Sequence, residues 1–310
     1  MDAQTSPRPD AVLGICTYHR NDKLRALLQR ASELSELEGA PRLAVLIVDD
    51  GTGRTAEPVA EEFDRRFPGG VTYRHVGSGN ISTARNVVLD ECRRLAPFVA
   101  VMDDDCMPTP GWLVELLDMQ RATNADIVTG HRVFCAAPGA PKWLVDQPFF
   151  SDQPSFDNGS DPPIGTTGNA LFRSAWLGSA GVRFDPGYGK TGGEDMVFYA
   201  EARKHNTVIR HAAMSIVMEY FTGSRLTLRY HLFRQFWLGN NVAEINRTTH
   251  ETTSTRLLLR SGKALLCAVA SPFGNIARRR PPQWRWALAG MGRSAGMAIG
   301  VFGITIDHKT

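Results

Sequence analysis

The densest chemical signal in this 310-residue sequence is a run of three aspartates, Asp103, Asp104 and Asp105, directly after the apolar segment PFVAVM. Three carboxylates within one turn of backbone repel one another and raise each other's pKa. A divalent cation relieves that repulsion, and Mg2+ typically takes one or two carboxylates together with substrate phosphates. A second acidic pair, Asp49-Asp50, closes the apolar run RLAVLIV, and Thr17-Tyr18 closes AVLGIC. A third acidic pair, Glu194-Asp195, follows Gly192-Gly193. That pair suits the positive end of a helix, or a base that a substrate approaches closely across the glycines. For the triple aspartate the plain alternative is an exposed acidic turn capping the next helix. Its placement after VAVM, beside another acidic run-end, favours the cation.

The elements that must hold these groups read as alternating strands and helices. AVLGICT (11–17) is a short buried strand. Residues 21–34 follow as a helix with Leu24, Leu27, Leu28 and Leu34 on one face and Asn21 or Asp22 as its cap. RLAVLIVDDG is the next strand, 55–67 is helical, VTYRHV a strand, 82–95 a helix and 97–102 a strand. Residues 111–122 are helical and 126–134 strand-like, and 135–165 is a loop-rich stretch suited to a flap or acceptor loop. Such alternation predicts an α/β fold: a mostly parallel, Rossmann-like sheet with helices on both faces. Ligands of such sheets sit at the carboxyl ends of the strands, where the three polar clusters fall.

Composition excludes several classes. The chain is 43% hydrophobic and 22% charged, which rules out disorder and collagen. Its five cysteines include no CxxC, so neither zinc nor a redox dithiol is indicated. GxxxxGK[ST] is absent and Gly51-Thr52-Gly53 lacks a third glycine, so the phosphates of a nucleotide would be held by metal and arginine. The polar start MDAQTSPRPD lacks a signal-peptide core, which predicts a reduced, cytoplasmic setting.

Six motifs in order then carry a family resemblance: CTYHR (16–20), IVDDG (47–51), NISTARN (80–86), VMDDDCMP (101–108), TGNALF (167–172) and GGEDMVF (192–198). Over roughly residues 11–240 the chain resembles the family 2 glycosyltransferases, inverting enzymes of the GT-A fold that use nucleotide-diphospho-sugars. The segment EYFTGSRLTLRYHLFRQFWLGNN resembles the bacterial exopolysaccharide, succinoglycan-type members. The resemblance implies a hexose transfer from a nucleotide-diphospho-sugar, UDP-linked, to a saccharide hydroxyl, with a lipid-linked oligosaccharide as acceptor and Mn2+ or Mg2+ as cofactor. It implies that Thr17, Tyr18, Arg20, Asp50, Arg85, Asp103 and Asp104 meet the nucleotide and donor. Asp50 would accept from uracil, Asp105 would ligate the metal and Asp195 would be the catalytic base. Thr167, Gly168, Asn169, Gly193 and Glu194 would shape the sugar and acceptor pocket. Where many relatives place a histidine ligand this chain has Glu219, so the further metal ligand is open among Asp103, Glu219 and His211. Two rivals are a catalytically inactive scaffold of a polysaccharide-assembly complex and a sugar nucleotidyltransferase. The first should have lost its carboxylates, and the second should show a glycine-rich signature ending in Pro-Lys that residues 11–25 lack.

The charge is unevenly spread. Residues 1–220 carry 22 Lys and Arg against 29 Asp and Glu, whereas residues 221–310 carry 13 against 3. Expected, then, are a flexible N-terminus (1–10), a GT-A catalytic domain (11–222) and a basic, largely helical C-terminal region (223–310). Arg229 and Arg234 could reach a diphosphate or simply be solvated. The later segments are apolar but short and broken by charge, and RRRPPQWRW sits between them. That mixture suits an interfacial segment on an anionic membrane, on the inner face, better than a spanning helix. A hairpin packed on the catalytic domain or in a homodimer is the alternative, and no motif points to nucleic acid.

Overall fold

The computed structural model describes residues 8–145, 156–163, 165–249 and 252–307. One eight-stranded sheet, ordered β3-β2-β1-β4-β7-β6-β8-β5, organises the first part of the chain. β1 (Ala11–Thr17), β2 (Leu43–Asp49) and β4 (Phe98–Asp103) are almost wholly buried, as their apolar runs require. β1 pairs in parallel with β2 and β4, and β2 with β3 (Val71–His75). Three further ladders are antiparallel: β4 with β7 (Asn169–Arg173), β7 with β6 (Ile127–Ala136), and β5 (Cys106–Pro108) with β8 (Ile209–Phe221). The expected mostly parallel sheet is therefore a mixed one. The apolar pattern of a buried strand is the same for either direction, so the sequence did not separate them.

Alternate strand residues point to opposite faces, and each face is covered. Ala11, Leu13 and Ile15 pack with Leu24, Leu27, Leu28 and Ala31 of α1 (Asn21–Ser35), with α2 (Glu57–Phe63) and with α4 (Trp112–Thr123). Val12, Val99 and Val101 pack with Ala84, Val88 and Leu89 of α3 (Ile81–Leu95), and with Phe172, Trp176 and Phe198. Burying one such leucine contributes about 1.5–3 kcal/mol. Asn21 does not cap α1. Its Nδ2 donates to Thr55 O at 2.7 Å, and the cap residue is Arg20, with no side-chain capping bond. α5 (Lys142–Val145) lies in the stretch expected to be loop-rich, of which residues 146–155 and 164 fall outside the described residues.

The chain divides into two compact units. One takes Met1–Val133, Pro154–Gly189 and Glu194–Glu219, with α6 (Ser174–Ser179) and α7 (Glu194–Lys204); the other takes Phe134–Gln153, Lys190–Gly193 and Tyr220–Thr310. The second unit includes two segments that precede residue 220. It holds α8 (Leu228–Thr249), α9 (Ser254–Ala277) and α10 (Trp284–Val301). Glycines let α10 close on α8: a Cβ on Gly296 would stand 1.9 Å from Phe236 O, so only glycine permits that approach. On its other side α10 meets α9, where Ser294 Oγ donates to Ser261 O at 2.6 Å.

Candidate functional site

In register, Thr17 lies opposite Asp49 and Cys16 opposite Asp103, so three polar clusters share one rim of the sheet. The second of them orders backbone. Asp49 accepts from Gly51 N (2.9 Å), Ala56 N (3.0 Å) and Tyr73 OH (2.9 Å). Asp50 is buried and accepts from Ser78 N (2.7 Å), Ser78 Oγ (2.6 Å) and Asn80 N (2.6 Å). Most of the acceptor capacity that the resemblance assigns to uracil is thus committed to the loop 77–80. Tyr18 is exposed at the rim, edge-on to His19 with ring centroids 4.6 Å apart.

The three aspartates diverge. Asp104 points inward, where Thr17 Oγ1 (2.9 Å) and Arg20 Nη1 (3.2 Å) donate to it. Burial pushes its pKa up to about 6, Arg20 opposes the rise, and Asp105 adds to it. Repulsion within the run is therefore the lesser cause, and burial the greater. Asp105 is closed over by Arg20 Nη1 and Lys23 Nζ, each 3.4 Å from Oδ2. Asp103 is more open, its side chain 30% exposed, and receives Arg85 Nη2 at 3.0 Å and Arg132 Nη1 at 3.5 Å.

Arg85 is the hub of the site. From α3 it reaches Asp103, Asp195 (2.7 Å) and Glu194. Burial works against its charge, yet Asp195, Glu194 and Asp103 together hold its pKa well above the ordinary arginine value. Burial likewise raises Glu194, with Arg85 opposing. Removing one partner of such a buried cluster costs about 3–5 kcal/mol. Asp195, in the first turn of α7, is further fixed by Thr167 Oγ1 (2.7 Å), Thr167 N (3.1 Å) and Thr166 Oγ1 (3.4 Å). At Gly168 a Cβ would stand 2.9 Å from Arg132 Nη1 and 3.0 Å from Asp103 Oδ2, so a side chain there would push the pair apart. Asn169 is buried and donates to Ser215 O (2.9 Å) and His131 O (3.2 Å), anchoring β7. Gly193 belongs to the second unit, with φ +89° against Ile245.

Of the open metal ligands, Asp103 and Asp105 come together: one oxygen of each and Cys106 Sγ lie within 4.8 Å of one another. Thiolate is a soft ligand, which leaves the two carboxylates as the donor set for a hard cation. Two carboxylates suit Mg2+ or Mn2+ shared with phosphates. Among the described residues and with all six ionised, Asp103, Asp104, Asp105, Glu194, Asp195 and Glu219 face four cations, Arg20, Lys23, Arg85 and Arg132. The surplus of two negative charges fits a divalent ion. Glu219 sits opposite Cys106 in the β5–β8 ladder, with Oε2 3.4 Å from Arg132 Nη1. His211 is excluded from this site. It lies eight residues along β8 from Glu219, about 27 Å at the rise of a strand, and its Nδ1 meets Thr129 Oγ1 at 3.0 Å. The sequence reading named neither Lys23 nor Arg132. Lys23 is one turn after Arg20 on the same helical face, a signal available in principle, whereas Arg132 needs β6, β8 and the aspartate turn brought together.

With this geometry established, likeness to known proteins is informative. The family model "Glycosyl transferase family 2" matches residues 13–179. The chain is 30% identical over 296 residues to the succinoglycan biosynthesis protein ExoM of Rhizobium meliloti (strain 1021), covering 94% of this chain and 93% of that protein. Among solved structures it is similar in fold to the mannosyltransferase PcManGT from Pyrobaculum calidifontis, in complex with GDP-Man and Mn2+. There the TM-score is 0.62 at 14% identity, over 96% of this chain and 88% of that one. It is also similar to S. aureus TarS 1-349 in complex with UDP-GlcNAc, with TM-score 0.54 at 14% identity over 93% and 89% of the two chains.

Proposed function

The chain belongs to glycosyl transferase family 2, and on that premise we propose that it transfers a hexose from a UDP-sugar to a saccharide hydroxyl with inversion at C1. It is a glycosyltransferase of the GT-A fold. The name of its relative in succinoglycan biosynthesis supports exopolysaccharide as the product; the acceptor in this proposal is a lipid-linked oligosaccharide met at the cytoplasmic membrane face. One observation carries the reading: the carboxylate suited to be a base, Asp195, and the carboxylate suited to the donor side, Asp103, are held by two arms of the same buried Arg85.

Asp195 has the attributes of a general base. Its carboxylate is 20% exposed and so reachable by an acceptor. Thr167 and Arg85 fix its direction, and a positioned carboxylate that removes the hydroxyl proton as the oxygen attacks contributes typically 10²–10⁴-fold. Glu194, beside it on Arg85, keeps that guanidinium oriented as the Asp195 charge is neutralised. Arg20 and Lys23, poised on Asp105, supply positive charge where the diphosphate would leave. Asp103 and Asp105 would hold the divalent ion, which when bound neutralises charge on the departing diphosphate.

The test is transfer from a panel of UDP- and GDP-hexoses to short saccharide acceptors, with the product's anomeric configuration read by NMR. A β-linked product from an α-linked UDP donor is expected. An α-linked product would exclude single in-line displacement, and transfer from GDP-sugars alone would overturn the UDP assignment.

A further inference from the structure

Helix α9 shows to solvent what a water-soluble helix ordinarily buries. Leu259, Leu265, Leu266, Val269, Phe273 and Ile276 are all exposed, Leu266 to 72% and Leu259 to 68%. At 3.6 residues per turn these six fall in one stripe about 120° wide and about 26 Å long. The stripe is not the packing face: Leu257, Ser261 and Pro272 are the buried residues of α9, and they lie to one side of it. Along its other side run Arg256, Arg260 and Lys263, all exposed. Beyond the end of α9, Arg278, Arg279 and Arg280 are exposed, and half-exposed Trp284 packs edge-on against Phe273 with centroids 5.6 Å apart. No acidic residue occurs from 252 to 306.

An exposed apolar patch of this length marks an interaction surface. A long apolar strip bordered by cations, with no acid among them, matches a surface that is apolar below and anionic above. Among the described residues no helix is long and apolar enough to cross a membrane. A second copy of this chain is a poorer match. A two-fold contact on the stripe would bring two rows of cations together with no acid of the segment to answer them. We propose that α9 is a membrane-docking helix that lies in the headgroup–acyl boundary of an anionic bilayer, its Leu259–Ile276 stripe facing the acyl chains and its basic row facing the lipid phosphates. This surface belongs to the second unit and is independent of the donor chemistry proposed above.

The test uses the full chain and sedimentation with vesicles of three parts phosphatidylcholine to one part phosphatidylglycerol, against pure phosphatidylcholine. The parent should pellet with the anionic vesicles and remain largely in solution with the neutral ones. Leu259→Glu/Leu266→Glu/Phe273→Glu, at positions already in water, should keep its thermal stability and its UDP affinity yet stay in the supernatant. Arg256→Ala/Arg260→Ala/Lys263→Ala should weaken partition about five-fold per charge, roughly a hundred-fold in all. A triple-Glu variant that pellets like the parent would overturn the proposal, as would equal pelleting with neutral vesicles. It would also fall if the parent never pelleted but ran as a dimer that the glutamates dissociate, which would make the stripe a contact between copies. UDP binding is read on the same samples, so failure of docking and failure of the donor reading are separate results.

Discussion

Replacing Asp195 with asparagine conserves shape and removes the proton acceptor, and the structure allows both consequences to be sized. Oδ1 accepts from Arg85 Nη1 (2.7 Å) and Thr167 Oγ1 (2.7 Å), whereas Oδ2 accepts from Thr167 N at 3.1 Å. An amide has one oxygen, so its NH2 must oppose one of these donors. The cheaper choice keeps the oxygen toward Arg85 and leaves the Thr167 N–H without its partner, a cost of about 1–3 kcal/mol. Arg85 retains Asp103 and Glu194, so its charge stays paired. The variant should fold, with Tm lowered by only a few degrees. Transfer should fall about 10²–10⁴-fold, a barrier increase of about 2.7–5.5 kcal/mol. Single-turnover transfer at saturating donor reads the rate, and calorimetry with UDP reads donor affinity, which should be nearly unchanged. Transfer at the parent rate would refute the role of Asp195 as base. Weakened donor binding with unchanged turnover would make it a donor ligand instead.

Chelation should weaken UDP binding, since Asp103 and Asp105 would hold the cation that meets the diphosphate; calorimetry in EDTA showing undiminished affinity would sink the metal reading. Asp50→Ala removes three short hydrogen bonds that order residues 77–80, and should cost about 3 kcal/mol of stability in urea unfolding, with an unchanged midpoint counting against it. Two buried groups make opposing contributions in acid. The folded pKa of Asp104 is raised to about 6 from 3.8, so its contribution favours folding at low pH and is lost as pH rises through that window. His211, lowered by burial from 6.5 to about 4, contributes above pH 6.5 and loses that contribution as pH falls. Unfolding midpoints should therefore drop more steeply between pH 6.5 and 4 in Asp104→Asn than in the parent, and less steeply in His211→Gln; identical slopes would contradict both assignments.

The placing of the polar clusters at one rim was legible in the sequence. Apolar runs such as AVLGICT and FVAVMD have one use in a covered sheet, and their polar last residues must emerge at its rim. Thr17, Asp49 and Asp103 were therefore legible as neighbours in space before any coordinates. The six ordered motifs were legible too, because each is local. Tertiary structure alone decided what the side chains do at that rim. Thr17 and Asp104 are 87 positions apart and Arg85 and Asp195 110 apart, and no local pattern states that they touch. Folding gave Asp50 to the loop 77–80, set Lys23 on Asp105 and Arg132 between Asp103 and Glu219, and carried His211 away down β8. It also chose the exposed face of α9. That helix is apolar on more than one side, so periodicity could not say which side would meet α10. Ser261 meets Ser294 of α10 and is buried with Leu257, whereas the leucine stripe stays in water.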